Sequence, residues 1–207
     1  MTVLGSTEHG GDLTRLLREW SAGRSDVEEV LVGLVYEQLH AMAVKAMLRE
    51  KKGHLLQPTA LVSEVWMRLR TMELSYVDRV HFLAMAATTM RRILVDHARA
   101  ANRQKRNGGA QGEVVSSVTT LVLNAYGKEE QATTADILDL NRALEKLSDL
   151  SPRQSHLMVL TYFGGMTTAE AATELSVSTA TVTRDLRIAK AWLRRELAPV
   201  ATTVSCS

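Results

Sequence analysis

Apolar residues in this chain recur at three- and four-residue steps, stretch after stretch. Val27, Val30, Leu31, Leu34, Val35, Leu39, Met42 and Ala46 form one series. Leu61, Val62, Val65 and Leu69 form a second, and Phe82, Met85, Ala86, Met90, Ile93, Leu94 and His97 a third. That spacing gathers side chains on one face of a helix with 3.6 residues per turn; a strand would scatter them over two faces. A narrow apolar stripe is buried only against other stripes, so the chain is expected to build all-α bundles. Three prolines and 4% aromatic residues, beside abundant Ala, Leu, Arg and Glu, favour helix over strand as well.

The helix boundaries are also written in the sequence. A first short helix is expected over Asp12 to Trp20. Ser25 and Glu28 have capping-box spacing at the head of the next, which Gly53 ends. Pro58 suits the first turn of a third helix, and a fourth is expected from His81 to about Asn102. Residues 107–133 read as a flexible linker: Gly108, Gly109 and Gly112 loosen it, and Ser116, Ser117, Thr119 and Thr120 follow. This divides the chain into a domain over 12–106 and a smaller one over 134–200. In the second, Ile137, Leu140, Leu144 and Leu147 stripe one helix. Ser151, Pro152 and Gln154 open another, which Gly164 and Gly165 stop. Thr167 and Glu170 form a further capping box, and Ser178 caps a last helix lined by Val182, Leu186, Ala189 and Leu193.

Several function classes drop out. Mean hydropathy is -0.06 and no run of eighteen apolar residues occurs, so no membrane span is expected. Met1 to Gly11 is polar, without the apolar core of a secretory signal. Cys206 has no partner cysteine within the chain, and a reducing, cytoplasmic location is expected. The six histidines have no i, i+3 or i, i+4 pairing, so neither a metal nor another cofactor is expected. Asp96 lies among arginines without a second carboxylate or nucleophile; it reads as a structural ion pair, and the chain as no enzyme. Trp20, Trp66 and Trp192 read as core residues.

The net charge of +2 hides an uneven distribution. Arg91, Arg92, Arg99, Arg103, Lys105 and Arg106 face a single acid, Asp96, in one segment. Arg184, Arg187, Lys190, Arg194 and Arg195 face only Asp185 and Glu196 in another. The rest of the chain is acidic. Two separate basic segments are the footprint expected of a chain that touches a polyanion twice. Thr167 to Leu197 adds a short helix, a tight turn and a longer basic helix, which is the helix-turn-helix layout. With Val182, Leu186 and Ala189 inward, the spacing turns Thr179, Thr183, Arg184, Arg187 and Lys190 outward, toward major-groove edges and phosphates. Asp185 is expected to repel phosphate or accept from cytosine there.

The run Ser151-Pro152-Arg153-Gln154, Tyr162-Phe163-Gly164-Gly165-Met166-Thr167, Ala169-Glu170-Ala171-Ala172, Val177-Ser178 and Thr181-Val182 resembles region 4 of bacterial sigma factors. Phe82 to Asp96 resembles the region 2 helix that melts and reads the minus-ten element. Leu61-Val62-Ser63-Glu64-Val65-Trp66 resembles the region 2 helix that docks on the polymerase clamp. Two matched domains around a loose linker resemble the extracytoplasmic-function (ECF) group. The resemblance implies a promoter-recognition factor whose partners are core RNA polymerase, at its clamp and flap, and promoter DNA. It implies Arg91, Arg92, Arg99 and Arg103 at the minus-ten element, and Thr179, Thr181, Thr183, Arg184, Arg187 and Lys190 at the minus-thirty-five element. Thr59, Ser63, Glu64 and Met67 are the polymerase-docking set. The family's docking helix usually starts with acids; here those positions are Gln57, Pro58, Thr59 and Ala60, so the unmodified chain is expected to dock weakly. Thr59 then has two readings: a helix N-cap, or a phosphorylation site for a Ser/Thr protein kinase that restores the missing charge. An anti-sigma partner is not legible in the sequence. Two other classes stay open: a stand-alone helix-turn-helix regulator, and a helical adaptor without nucleic-acid binding. Ser176, in the turn, takes the place of a common glycine, and a positive φ there costs about 1 kcal/mol.

Overall fold

In the computed structural model, residues 8–47, 56–72, 76–106 and 137–198 are described, and among them every regular element is helical. The linker expected over 107–133, Gly53 and Cys206 lie outside these residues. The first half holds α1 (Glu8–Ser21), α2 (Glu28–Met47), α3 (Pro58–Thr71) and the long α4 (Arg79–Arg106). The second holds α5 (Ile137–Leu150), α6 (Pro152–Tyr162), α7 (Thr168–Glu174) and α8 (Thr179–Glu196).

The apolar stripes become buried faces. Leu13, Leu16 and Leu17 seat α1; Leu31, Val35, Leu39 and Met42 seat α2; Leu61, Val62, Val65 and Leu69 seat α3. Between Ser25 and Val27 the chain makes a 3-10 turn rather than the expected capping box. The charged pair of Arg24 with Asp26, 2.5 Å apart, occupies that corner, and Gly23 at φ 92° lets the chain leave α1. The segment Ser25–Met47 is long and apolar enough to cross a membrane by length and composition alone, with mean hydropathy 1.2. It carries Asp26, Glu28, Glu29, Glu37 and Lys45, and its apolar face packs on α1 and α3. It reads as a core helix.

The helix α4 starts at Arg79, two residues before the expected start, and Asp78 opens it, its carboxylate accepting from the His81 N–H at 2.9 Å. The aromatic residues form a stack in the first half. Trp20 lies 5.3 Å from Trp66 and 5.8 Å from Tyr76, and the Phe82 ring meets Tyr76 edge-on at 5.2 Å. The Tyr76 hydroxyl donates to the Leu69 carbonyl at 3.0 Å, tying the start of α4 to the end of α3.

In the second half the expected caps form with one exception. Thr167 and Glu170 make a complete capping box, and Ser178 Oγ accepts from the Thr181 N–H at 3.1 Å. Ser151 sits at the N-cap before Pro152, but its side chain caps nothing; the nearby Ser155 hydroxyl donates instead to the Leu144 carbonyl at 2.8 Å. Ser176 adopts φ 52°, a left-handed conformation that a side chain tolerates at a cost of about 1 kcal/mol.

The two halves do not stand apart. One continuous core runs from Leu13 to Leu197, and α4 packs against α5, α6 and α7 as well as against α1, α2 and α3. At Gly164 an added Cβ would lie 2.4 Å from the Leu160 carbonyl oxygen and 3.1 Å from Ala87 Cβ on α4. Only glycine permits that approach. A smaller cluster of Leu157, Ala171, Ala172 and Val182 holds α7 and α8 on α6.

Burial pushes the Tyr76 phenol up to about 12 from its ordinary 10.0. The phenol must stay protonated in the fold, so its contribution is present below pH 10 and is lost as pH rises toward 12. Tyr76→Phe removes this linkage. Urea midpoints compared at about pH 9 and about pH 11.5 should fall less for the variant than for wild type.

Candidate nucleic-acid and polymerase interface

The last helix sorts its residues by face. Val182, Ala189 and Leu193 are buried and Leu186 is half-buried; Thr179, Ala180, Thr183, Arg184, Arg187, Ile188, Ala191, Arg194 and Arg195 are exposed. Thr179, Thr183, Arg184 and Arg187 therefore share one outward face, as their spacing indicates. Thr181 and Lys190 do not join them fully. Thr181 is half-buried, and its hydroxyl is hydrogen-bonded to the capping hydroxyl of Ser178 at 2.9 Å. Lys190 is half-buried with its ammonium 5.5 Å from the centre of the Tyr162 ring. Burial, and then Arg194, lowers its pKa.

Asp185 corrects the sequence reading. It is 4% exposed and faces away from the outward surface. Its carboxylate accepts from Arg153 Nε at 2.8 Å, with Nη2 of the same guanidinium in ion-pair range at 2.8 Å, which joins α8 to the start of α6. It neither repels phosphate nor meets a base. The signal was present in the spacing: Asp185 falls between Val182 and Ala189 on the inward stripe. Turning the carboxylate inward leaves the first turns of α8 with hydroxyl, apolar and basic groups outward.

The α4 basic residues divide similarly. Arg92, Arg99 and Arg103 are exposed along one side of the helix, where Asp96 is drawn to Arg68 at 3.6 Å. Arg91 points elsewhere. It is half-buried against α5, where its Nη2 donates to Asn141 Oδ1 at 2.9 Å and its Nε is buried without a partner. Asn141 in turn donates to Glu145 at 2.8 Å. Burial lowers the Arg91 pKa, Glu145 opposes this, and Arg92 adds to it. A second polar contact joins the halves where Arg79 Nη1 donates to Glu170 Oε1 at 2.7 Å. Burial works to raise the Glu170 carboxyl, but hydrogen bonds from Arg79 and Thr167 outweigh it and hold the group below its usual range. Neither contact was legible in the sequence, because its partners lie 50 and 91 positions apart.

On α3, Thr59, Ser63 and Met67 are exposed, Met67 at 67%. Thr59 is not the N-cap. Gln57 holds that position and Pro58 the next, and the first turn of α3 has neither a side-chain cap nor an acid. Glu64 is committed within the fold: it accepts from Arg68 at 2.8 Å and lies 3.0 Å from His97 Nε2 on α4.

A family model described as ECF sigma factor matches residues 10–199. No curated protein and no solved structure matches the chain. The geometry of α8 separates two variants. Asp185→Ala removes a buried acceptor and should lower stability by about 1–3 kcal/mol. Arg187→Ala, on the exposed face, should change stability by less than about 0.5 kcal/mol while weakening duplex binding. Paired urea titrations and DNA-retention assays read the two effects separately.

Proposed function

The chain belongs to the ECF sigma factor family, and we propose that it carries core RNA polymerase to promoters through the faces just described. The observation that carries this reading is the outer face of α8, where Thr179, Thr183, Arg184 and Arg187 stand exposed and Asp185 is turned away. That face reads the minus-thirty-five element as duplex. Arg92, Arg99 and Arg103 on α4 hold phosphates of the opened minus-ten strand, where a basic groove is needed. Arg91 joins them only once it leaves Asn141. Residues 12–106 and 134–200 act as the two promoter-contacting units. The polymerase performs the chemistry, this chain performs none, and the pair works in the cytoplasm.

Docking on the clamp uses the exposed side of α3, with Ser63 and Met67 at its centre. Glu64 contributes less directly, since it already pairs with Arg68 and His97. The uncapped first turn of α3, without an acid, supports a phosphate on Thr59 as the missing negative charge. A Ser/Thr kinase would then switch docking on.

Run-off transcription with core polymerase and genomic fragments tests the reading. Transcription should require the chain, and the form phosphorylated at Thr59 by chemical ligation should exceed the unmodified form. Met67→Asp, on the surface, should leave folding intact and lower polymerase capture. Full transcription by the unmodified chain, with no gain on phosphorylation, would reduce Thr59 to a surface residue of α3.

The closed packing supports a further element of the reading. A compact chain of this length is about 40 Å across. Elements centred about 25 base pairs apart lie about 85 Å from each other along duplex DNA. The seam between the halves must therefore open on the promoter. A donor and acceptor on Ala60→Cys and Ala191→Cys, in a Cys206→Ser background, should transfer energy in the free chain. Transfer should fall sharply once polymerase and promoter are added. Unchanged transfer in an active complex would exclude opening.

A further inference from the structure

The exposed surface of α8 offers two columns of side chains in its first turns. Ala180 stands one turn before Arg184, and Thr183 one turn before Arg187, and all four are exposed. Each column thus sets a small side chain ahead of a guanidinium. The Thr183 hydroxyl is already engaged, donating to the Thr179 carbonyl at 2.9 Å. To donate to a base edge it would have to break that bond. The Thr183 oxygen keeps only acceptor capacity; the apolar group it presents beside that oxygen is its methyl, and Ala180 has only a methyl to give. No carboxylate stands outward on these first turns, because Asp185 is buried against Arg153, so cytosine N4 finds no anionic acceptor here.

We propose that this face recognises thymine by its C5-methyl group, through Ala180 and the Thr183 methyl, beside guanines taken by Arg184 and Arg187. The proposal rests on the reading of α8 as the minus-thirty-five helix. The first turns of a recognition helix are the ones that reach base edges in the major groove. There thymine alone presents a methyl, and small apolar side chains match it, while arginine matches the two acceptors of guanine. The four residues between the members of a column advance about 6 Å along the helix, or roughly two base-pair steps. The thymine and guanine of each column therefore lie within about two base pairs of each other.

Uracil lacks only the methyl and keeps the pairing edge, so it isolates the contact. The full chain with core polymerase is bound to a promoter fragment that it retains from genomic DNA. Each thymine of the upstream element, on both strands, is then replaced singly by uracil. Affinity should fall about four-fold at one or two positions, the effect of one lost methyl burial, and stay level elsewhere. Thr183→Ser should abolish the thymine–uracil difference at one of these positions, while Thr183→Val, which keeps a methyl, should preserve it. Circular dichroism and urea midpoints establish that both variants are folded. Equal affinity for uracil at every position overturns the methyl reading and leaves the function standing. Loss of binding by Thr183→Val with retention by Thr183→Ser also overturns it, since the hydroxyl would then be the reader. Retention of no fragment overturns both this inference and the assignment of α8.

Discussion

The fold depends on α4 being buried from two directions. Phe82, Ala86, Ala87, Met90 and Ile93 are fully enclosed, and Ala84 nearly so. Small residues on this helix let neighbours approach closely, and Gly164 answers Ala87 from the second half with no side chain of its own. Because α4 packs on α1 to α3 and also on α5 to α7, the two halves share a core across a long gap in sequence. The same helix carries the arginines of the first basic segment. Its packing therefore decides which of them face water.

The seam is chiefly apolar, and its polar contacts are few. Arg79 and Glu170 are both half-exposed, and ion pairs of that kind contribute about 0–1 kcal/mol. Arg91 and Asn141 are more deeply placed, but Arg91 Nε is left without a partner, which costs stability rather than adding it. Both contacts set the register of the halves more than they hold them. A seam of this composition can give way to a larger polymerase and DNA interface without a strong ionic lock to break.

On α8 a buried acid does work that an exposed one would spoil. Asp185 sits between apolar positions of α8, and its hydrogen bond and ion pair with Arg153 offset the cost of its burial. The pair connects α8 to α6, and the outward side of the first turns of α8 keeps hydroxyl, methyl and guanidinium groups. On α3 the opposite holds. Its first turn is open, uncapped and without charge, and its exposed side is available to a partner.

Much was legible in the sequence alone, because helices are local objects. Apolar spacing, Pro58, Thr167 with Glu170, and Ser178 set which segments become helices and where several begin. Two basic segments, one of them inside the helix-turn-helix, pointed to a polyanion, and the resemblance of the motifs to sigma regions 2 and 4 implied a promoter; the outward set Thr179, Thr183, Arg184 and Arg187 followed from periodicity. Local rules failed at Ser25, where Arg24 and Asp26 make a turn, and at Ser151, whose hydroxyl caps nothing. What only the tertiary structure decided were contacts between residues distant along the chain. Arg91 is tied to Asn141, Asp185 to Arg153, Arg79 to Glu170 and Glu64 to His97. A charge in a sequence shows only that a group is polar. Whether it meets solvent, DNA or a buried partner depends on which helix packs against it, and that depends on the whole core.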